Sequence, residues 1–198
     1  MADTPELLRR SLSNAHPIGP AVRSDWALAG MMARQITTAD APVIVLGAGA
    51  VSFAHTIIRN GIPPAQVALV EHGSELSVTL QQRYPEARIL WSNAAALGSA
   101  SPFGRQQAGA IVSTLPLRHL PIGEALVTLN AAFGQIRDGG AFYQVTSAPC
   151  CPVQSDLLDR LRIEACRVDA TDADDIPFTL YRLTRAPAAT RLRSLIGP

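Results

Sequence analysis

The run Val43–Phe53, VIVLGAGAVSF, constrains this chain more than any other stretch. Val43 to Leu46 are consecutive apolar residues, which suits a strand buried on both faces. Gly47, Ala48 and Gly49 follow at once. Val51 to Asn60 then has apolar residues at 51, 54, 57 and 58, the spacing of one helix face, and Gly61 closes it as a C-terminal cap would. Strand, glycine turn and helix make the first half of a nucleotide-binding βαβ unit. Glycine is needed there because a ligand lying against the backbone leaves no room for a Cβ. The second strand, Val67 to Val70, ends in Glu71. A carboxylate at that tip can accept hydrogen bonds from both hydroxyls of a ribose. A tight strand–helix turn that binds nothing would have the same local sequence, so the motif needs its context.

The rest of the chain supplies context. A helix is expected from Trp26 to Arg34, with Ser24 or Asp25 as its cap. After Glu71 and His72 comes a helix from Ser74 to Arg83, with Leu76, Leu80 and Tyr84 as its buried stripe and Pro85 at its end. Arg88 to Trp91 is the third strand, with Ser92-Asn93-Ala94 at its tip, and the segment on to Arg105 reads as loop. Ala108 to Ser113 is the fourth strand and runs into Thr114-Leu115-Pro116. A helix from Gly123 to Ile136, a turn at Asp138-Gly139-Gly140 and a fifth strand, Ala141 to Thr146, follow. A short helix around Leu157 to Leu161 precedes two last strands, Arg162 to Asp169 and Phe178 to Thr184. Five strands alternating with helices predict a parallel sheet with right-handed crossovers. The short link between the last two predicts an antiparallel pair at one edge. The expected fold is therefore α/β, a single doubly wound, mostly parallel sheet of about seven strands. Residues 1–40 form an N-terminal helical segment, 41–184 the α/β domain and 185–198 a basic tail.

Composition narrows the classes. A chain that is 47% hydrophobic and 17% charged is globular rather than disordered. No apolar run is long enough to span a membrane, and MADTPELLRR lacks the order of a secretory signal. Cys150, Cys151 and Cys166 give no disulfide framework, and with His16, His55 and His72 they show no metal-ligand spacing. A reducing cytoplasm and buried, inert thiols are expected. All 17 basic side chains are arginine, a bias of genome composition that also suits phosphate groups. Thr4-Pro5-Glu6 starts a short amphipathic helix with Arg9 and Arg10. Together with Arg185, Arg191 and Arg193 of the tail, it could rest on an anionic membrane surface at the inner face of the membrane, or dock on the domain.

In order and spacing these stretches resemble class I S-adenosylmethionine-dependent methyltransferases, and more narrowly the bacterial phospholipid N-methyltransferases, relatives of the ribosomal-RNA adenine dimethylases. The family's S-x-x-L-A corresponds to Ser24-Asp25-Trp26-Ala27-Leu28-Ala29 with one residue more. Its E-L-G-P-G-T-G corresponds to Val45-Leu46-Gly47-Ala48-Gly49-Ala50-Val51, its L-V-E to Leu69-Val70-Glu71 and its R-Y/F-P to Arg83-Tyr84-Pro85. V-V-S-G-L-P-L corresponds to Ile111 to Leu117, Q-F-T-Y to Gln144-Val145-Thr146-Ser147, and the terminal P-x-x-V-W/Y-R-Y to Pro177 through Leu183. The resemblance covers Ser24 to Thr184. It departs at Val45, where the family has an acid, at Val51, where it has a third glycine, and at Asn93, where it has an aspartate that partners the adenine amino group. An asparagine carbonyl can still accept that bond, without charge assistance.

The resemblance implies S-adenosylmethionine as cofactor, held by Gly47, Ala48, Gly49, Glu71, His72, Asn93 and Ala94. It implies an acceptor held at the turn after the fourth strand: Ser113 and Thr114 as catalytic groups with Tyr143, and Ser24, Leu115, Pro116 and His119 around the substrate. Thr146 is a further candidate near the fifth strand. The carbonyls of Leu115 and Pro116 are the expected holders of the amine N–H groups, and His119 could take its proton. For each hydroxyl a local backbone hydrogen bond is the plain alternative, and for His119 a solvated loop position. The expected activity is N-methylation of a phospholipid amine of the phosphatidylethanolamine kind, with no metal and no nucleic acid. The competing readings are a non-catalytic descendant with weakened cofactor binding and an NAD-dependent oxidoreductase, since Gly47-x-Gly49-x-x-Ser52 nearly fits the dinucleotide fingerprint. RNA methylation is disfavoured by a near-neutral chain with few aromatics.

Overall fold

The sheet has seven strands in the order β3-β2-β1-β4-β5-β7-β6. In chain order these are β1 Val43–Leu46, β2 Val67–Glu71, β3 Arg88–Trp91, β4 Ala108–Ser113, β5 Ile136–Thr146, β6 Ile163–Ala173 and β7 Ile176–Arg185. The helices are α1 Arg23–Ala33, α2 Val51–Arg59, α3 Ser74–Arg83, α4 Leu97–Ala100, α5 Ile122–Gln135 and α6 Ser155–Leu161. This computed structural model describes residues 23–47, 51–104, 107–148, 150–173 and 176–186. The expected first helix with Arg9 and Arg10, the tail arginines Arg191 and Arg193, and Ala48 and Gly49 lie outside the described residues.

β1 runs parallel to β2 and β4, β2 to β3, and β4 to β5. Only β7 is reversed, pairing antiparallel with β5 on one side and with β6 on the other. The expected antiparallel pair at one edge is thus present, with β6 outermost and β7 inside it. Helices cover both faces. Against one, Val43, Val45, Leu69 and Val112 pack on Met31 and Met32 of α1, Phe53 and Ile57 of α2, and Leu80 of α3. Against the other, Ile44, Leu46, Ile111 and Phe142 pack on Leu97, on Leu129 and Phe133 of α5, and on Leu157 of α6. Consecutive strand residues thus alternate between two apolar layers. That is why the central strands read as unbroken hydrophobic runs.

Three local expectations differ from the structure. The described helix α1 begins at Arg23, so Ser24 and Asp25 lie within it rather than before it as caps. The segment after Asn93, expected to be loop, holds a 3-10 turn, Ala94–Ala96, and then α4. Leu97 is 1% exposed there, so burial against the α5 layer overrides a Gly- and Ser-rich composition. The turn expected at Asp138-Gly139-Gly140 lies inside β5, where the pairing with β4 shifts register between Ala108 and Ala110. Gly139 has φ +78°, so the strand absorbs its irregularity as a bulge.

Candidate active site

The carboxyl ends of β1, β2, β4 and β5 meet at one rim of the sheet, where ligands of open α/β sheets bind. At the end of β1, Gly47 has φ +72°, the left-handed region. Its N–H donates to the Val70 carbonyl at 3.1 Å, and its own carbonyl accepts from Thr114 Oγ1 at 3.1 Å. A Cβ on Gly47 would stand 3.0 Å from Thr114 Oγ1 and 3.4 Å from Leu115 Cδ2. The turns after β1 and β4 are therefore locked together, and Gly47 is required both by its backbone angle and by its neighbours.

Glu71 is buried at 8% exposure at the tip of β2. Its Oε1 accepts from the Gly73 N–H at 2.8 Å. Among the described residues no cation pairs with it. His72 is exposed, and its carbonyl accepts from the Trp91 indole N–H at 2.8 Å, which holds the mostly exposed Trp91 ring beside this loop. Asn93 caps the 3-10 turn: its Oδ1 accepts from the Ala95 N–H at 2.9 Å. The carbonyl expected to serve an adenine amino group thus already accepts one bond and keeps one lone pair. Ala94 is buried as the first residue of that turn.

Beyond β4 and β5 opens a cavity of about 430 Å³. Its wall includes Thr114 to His119 from the turn after β4, Gln144 to Ala148 from the end of β5, and Pro152. Thr114, Leu115, Pro116, His119 and Thr146, all named from the sequence, are brought together here. Others are not. Ser113 is fully buried, and its Oγ accepts from the Leu115 N–H at 3.2 Å, the local bond that was its plain alternative. Tyr143 points to the opposite layer, where its hydroxyl donates to the Gln35 carbonyl at 3.3 Å. The catalytic expectation for Tyr143 is corrected, because alternation along β5 sends residues 143 and 144 to opposite faces. Ser24 belongs to α1.

The carbonyl expectation needs correction at Leu115 and not at Pro116. The Leu115 carbonyl accepts from the Leu117 N–H and from Gln144 Nε2, both at 2.8 Å, which fills its two lone pairs. The Pro116 carbonyl accepts from the His119 N–H at 2.8 Å. Sequence reasoning passed over Gln144, although it was quoted in the motif alignment. Its side chain is fully buried. Arg118 and His119 are exposed at the mouth, and among the described residues of the wall there is no Asp or Glu. The cysteines are not the buried set expected: Cys150 and Cys166 are exposed and Cys151 is partly buried. Arg118 donates to Cys150 Sγ, and burial pushes the Cys151 thiol above its ordinary pKa. Among the described residues, no group of three His, Cys, Asp or Glu side chains could hold a metal ion, and no helix is long and apolar enough to cross a membrane.

No protein-family profile matches the chain, and no curated protein matches it. Solved structures do match by fold. One is the 1,6-didemethyltoxoflavin-N1-methyltransferase of Burkholderia thailandensis with S-adenosylhomocysteine bound, at TM-score 0.63 and 18% identity over 94% of this chain and 92% of that one. The N-methyltransferase NodS of Bradyrhizobium japonicum, also with S-adenosylhomocysteine, matches at TM-score 0.62 and 12% identity over 93% and 99%. The magnesium protoporphyrin IX methyltransferase of Synechocystis, with S-adenosylmethionine, matches at TM-score 0.60 and 10% identity over 94% and 99%. Over 93 to 94% of its length the chain has the Rossmann-like fold of these methyltransferases.

Proposed function

We propose that the chain is an S-adenosylmethionine-dependent methyltransferase. The observation that carries this reading is the rim at β1 and β2. There, a left-handed Gly47 whose Cβ position is crowded by Thr114 stands at the strand end, and a buried Glu71 carboxylate with no cation partner among the described residues stands at the next. These two features suit the cofactor: Gly47 supplies the left-handed turn at the strand end, and Glu71 has acceptor capacity for ribose hydroxyls. The strand order favours this reading over a nicotinamide oxidoreductase. A dinucleotide-binding sheet runs 3-2-1-4-5-6, whereas here the reversed β7 lies between β5 and β6. Val45 is fully buried in the apolar layer and Asn93 caps a turn, so neither offers the cofactor a carboxylate. Affinity then rests on Gly47, Glu71 and the loop after β2. Glu71→Ala should weaken S-adenosylhomocysteine binding by about 10- to 100-fold in calorimetry, the worth of hydrogen bonds to a charged acceptor.

When bound, the cofactor supplies an electrophilic methyl group on a sulfonium. The chain's own residues hold an acceptor in line, with a free lone pair, and keep water out. We assign the acceptor as the amine of a phospholipid, such as phosphatidylethanolamine, presented at a membrane surface. The motif order supports it, and so does the cavity: Arg118 and His119 at its mouth, with no carboxylate among the described lining residues, suit a phosphodiester. An ordinary alkyl amine, with a pKa near lysine's of about 10.4, is mostly protonated at neutral pH. The cavity wall and the Arg118 charge both disfavour the ammonium form, so they favour the neutral nucleophile. Transfer of labelled methyl to phosphatidylethanolamine vesicles should therefore rise across roughly pH 6 to 9 and then level off. If no label enters lipid anywhere in that range while S-adenosylhomocysteine still binds, the lipid assignment is wrong. Tight NAD binding with no response to either sulfur ligand would overturn the methyltransferase reading itself.

A further inference from the structure

Gln144 Oε1 is a buried acceptor without a hydrogen-bond partner, on a residue of the cavity wall. The amide is not free to turn. Its Nε2 donates to the Leu115 carbonyl at 2.8 Å and to the Val145 carbonyl at 2.7 Å. The opposite flip would set an oxygen against both carbonyl oxygens, so the hydrogen-bond network assigns the orientation. Buried side-chain oxygens left unpaired are rare in folded proteins, and each calls for an explanation. Two others are present among the described residues, Ser52 Oγ and Tyr84 Oη, and neither belongs to the cavity. Three other acceptors in the wall already hold a donor. The Leu115 carbonyl has two donors, the Pro116 carbonyl has one, and Thr146 Oγ1 accepts from the Ala148 N–H at 3.1 Å.

We infer that Gln144 Oε1 receives an N–H of the substrate amine and so selects acceptors that still carry hydrogen on nitrogen. This inference rests on the methyltransferase reading of the same site and adds its selectivity. A primary or secondary amine satisfies the oxygen and keeps its lone pair free for the methyl group. A quaternary ammonium has no N–H to give and would leave the oxygen unpaired. Sites built to hydrogen-bond a group discriminate strongly against analogues that lack it. Gln144 would thereby set which amines enter, and would disfavour rebinding of a fully methylated product.

The experiment measures calorimetric binding of phosphoethanolamine and phosphocholine to the full chain saturated with S-adenosylhomocysteine. The wild type should prefer phosphoethanolamine by about tenfold or more. Two variants separate the acceptor from the fold. Gln144→Met and Gln144→Glu both remove the Nε2 donor, so any structural loss is common to them, but only Glu keeps an oxygen. The preference should fall to about twofold or less in Gln144→Met and persist in Gln144→Glu. A wild type without preference overturns the proposal. So does a Met variant that keeps it, because size exclusion by the cavity would then explain it. If Gln144→Met does not fold, Gln144→Glu still decides, since loss of preference there also overturns the proposal. Failure of S-adenosylhomocysteine to bind the wild type is a separate result: it counts against the methyltransferase reading, and the head-group comparison on the protein alone still scores Gln144.

Discussion

Gly109→Ala should lower stability by about 3 kcal/mol, near the upper end for forcing extra volume into a packed interior. Gly109 lies in β4 at the register shift opposite β5. A Cβ there would land on the Asp40 carbonyl oxygen and within 2.7 Å of both Asp40 C and Arg137 Nη2. The Asp40 backbone cannot retreat at low cost, whereas the exposed end of Arg137 can swing aside. Asp40 is held by its own side chain, which accepts from the Thr37 N–H at 2.8 Å and from Thr37 Oγ1 at 2.9 Å. Arg137 would then leave the Ala39 carbonyl to which it donates. Gly109 itself is tied from its N–H to the Pro42 carbonyl at 2.9 Å. For a chain of this size the melting temperature should fall by about 10 °C. Gly134→Ala is the control: nothing lies within 4 Å of the Cβ it would add, and its helix should be unchanged or gain up to about 1 kcal/mol. Melting curves that place both variants at the wild-type midpoint would mean that the β4–β5 bulge is not closed around Gly109.

The same glycines mark where the fold was legible and where it was not. Val43 to Leu46 could be recognised because a strand buried on both faces needs apolar residues at every position. Gly47 and Glu71 could be placed because they end such strands. Asp138-Gly139-Gly140 was read as a turn from a sound local preference, and the chain does bend there. What composition could not reveal is the partner strand: a Cβ on Gly140 would stand 2.6 Å from the Gly109 carbonyl oxygen, so this glycine permits a close strand crossing rather than a reversal. The Leu97 segment failed for the same kind of reason. Its burial depends on Ala131 of α5, whose Cβ would lie 3.6 Å from one added to Gly98, and no local pattern encodes that neighbour.

The site was legible by position more than by role. The turn after β4 does line a cavity, yet its Leu115 carbonyl is filled inside the fold and its Ser113 hydroxyl accepts from Leu115. Hydrogen-bond partners decide whether a polar group is available, and they are set by tertiary packing. Tyr143 was within reach of sequence reasoning, since strand alternation alone separates it from Gln144. Gln144 itself was not. A buried glutamine reads as an anomaly until its Nε2 is seen anchored on Leu115 and Val145, which leaves the oxygen over.

Gly47→Ala should weaken S-adenosylhomocysteine binding by about 100-fold while the fold survives. Two terms combine. The left-handed angle of +72° costs an alanine about 1–2 kcal/mol that glycine does not pay. The new methyl group would also stand 3.0 Å from Thr114 Oγ1, tighter than most such contacts, so Thr114 or the β1 turn must give by a few tenths of an ångström. Either retreat opens the 3.1 Å bond from Thr114 to the Gly47 carbonyl and displaces the backbone on which the cofactor would lie. Together these approach the roughly 2.8 kcal/mol that a 100-fold loss represents. Thr114 therefore serves both sides of the site, and a bulky replacement there should weaken cofactor binding as well as turnover. Gly104→Ala separates strain from site: its φ is +62°, nothing lies within 4 Å of the added Cβ, and it should lose stability yet keep full S-adenosylhomocysteine affinity. Equal affinity in Gly47→Ala and wild type, measured by calorimetry on folded protein, would remove the β1 turn from the cofactor site. The methyltransferase reading would then have to rest on Glu71 alone.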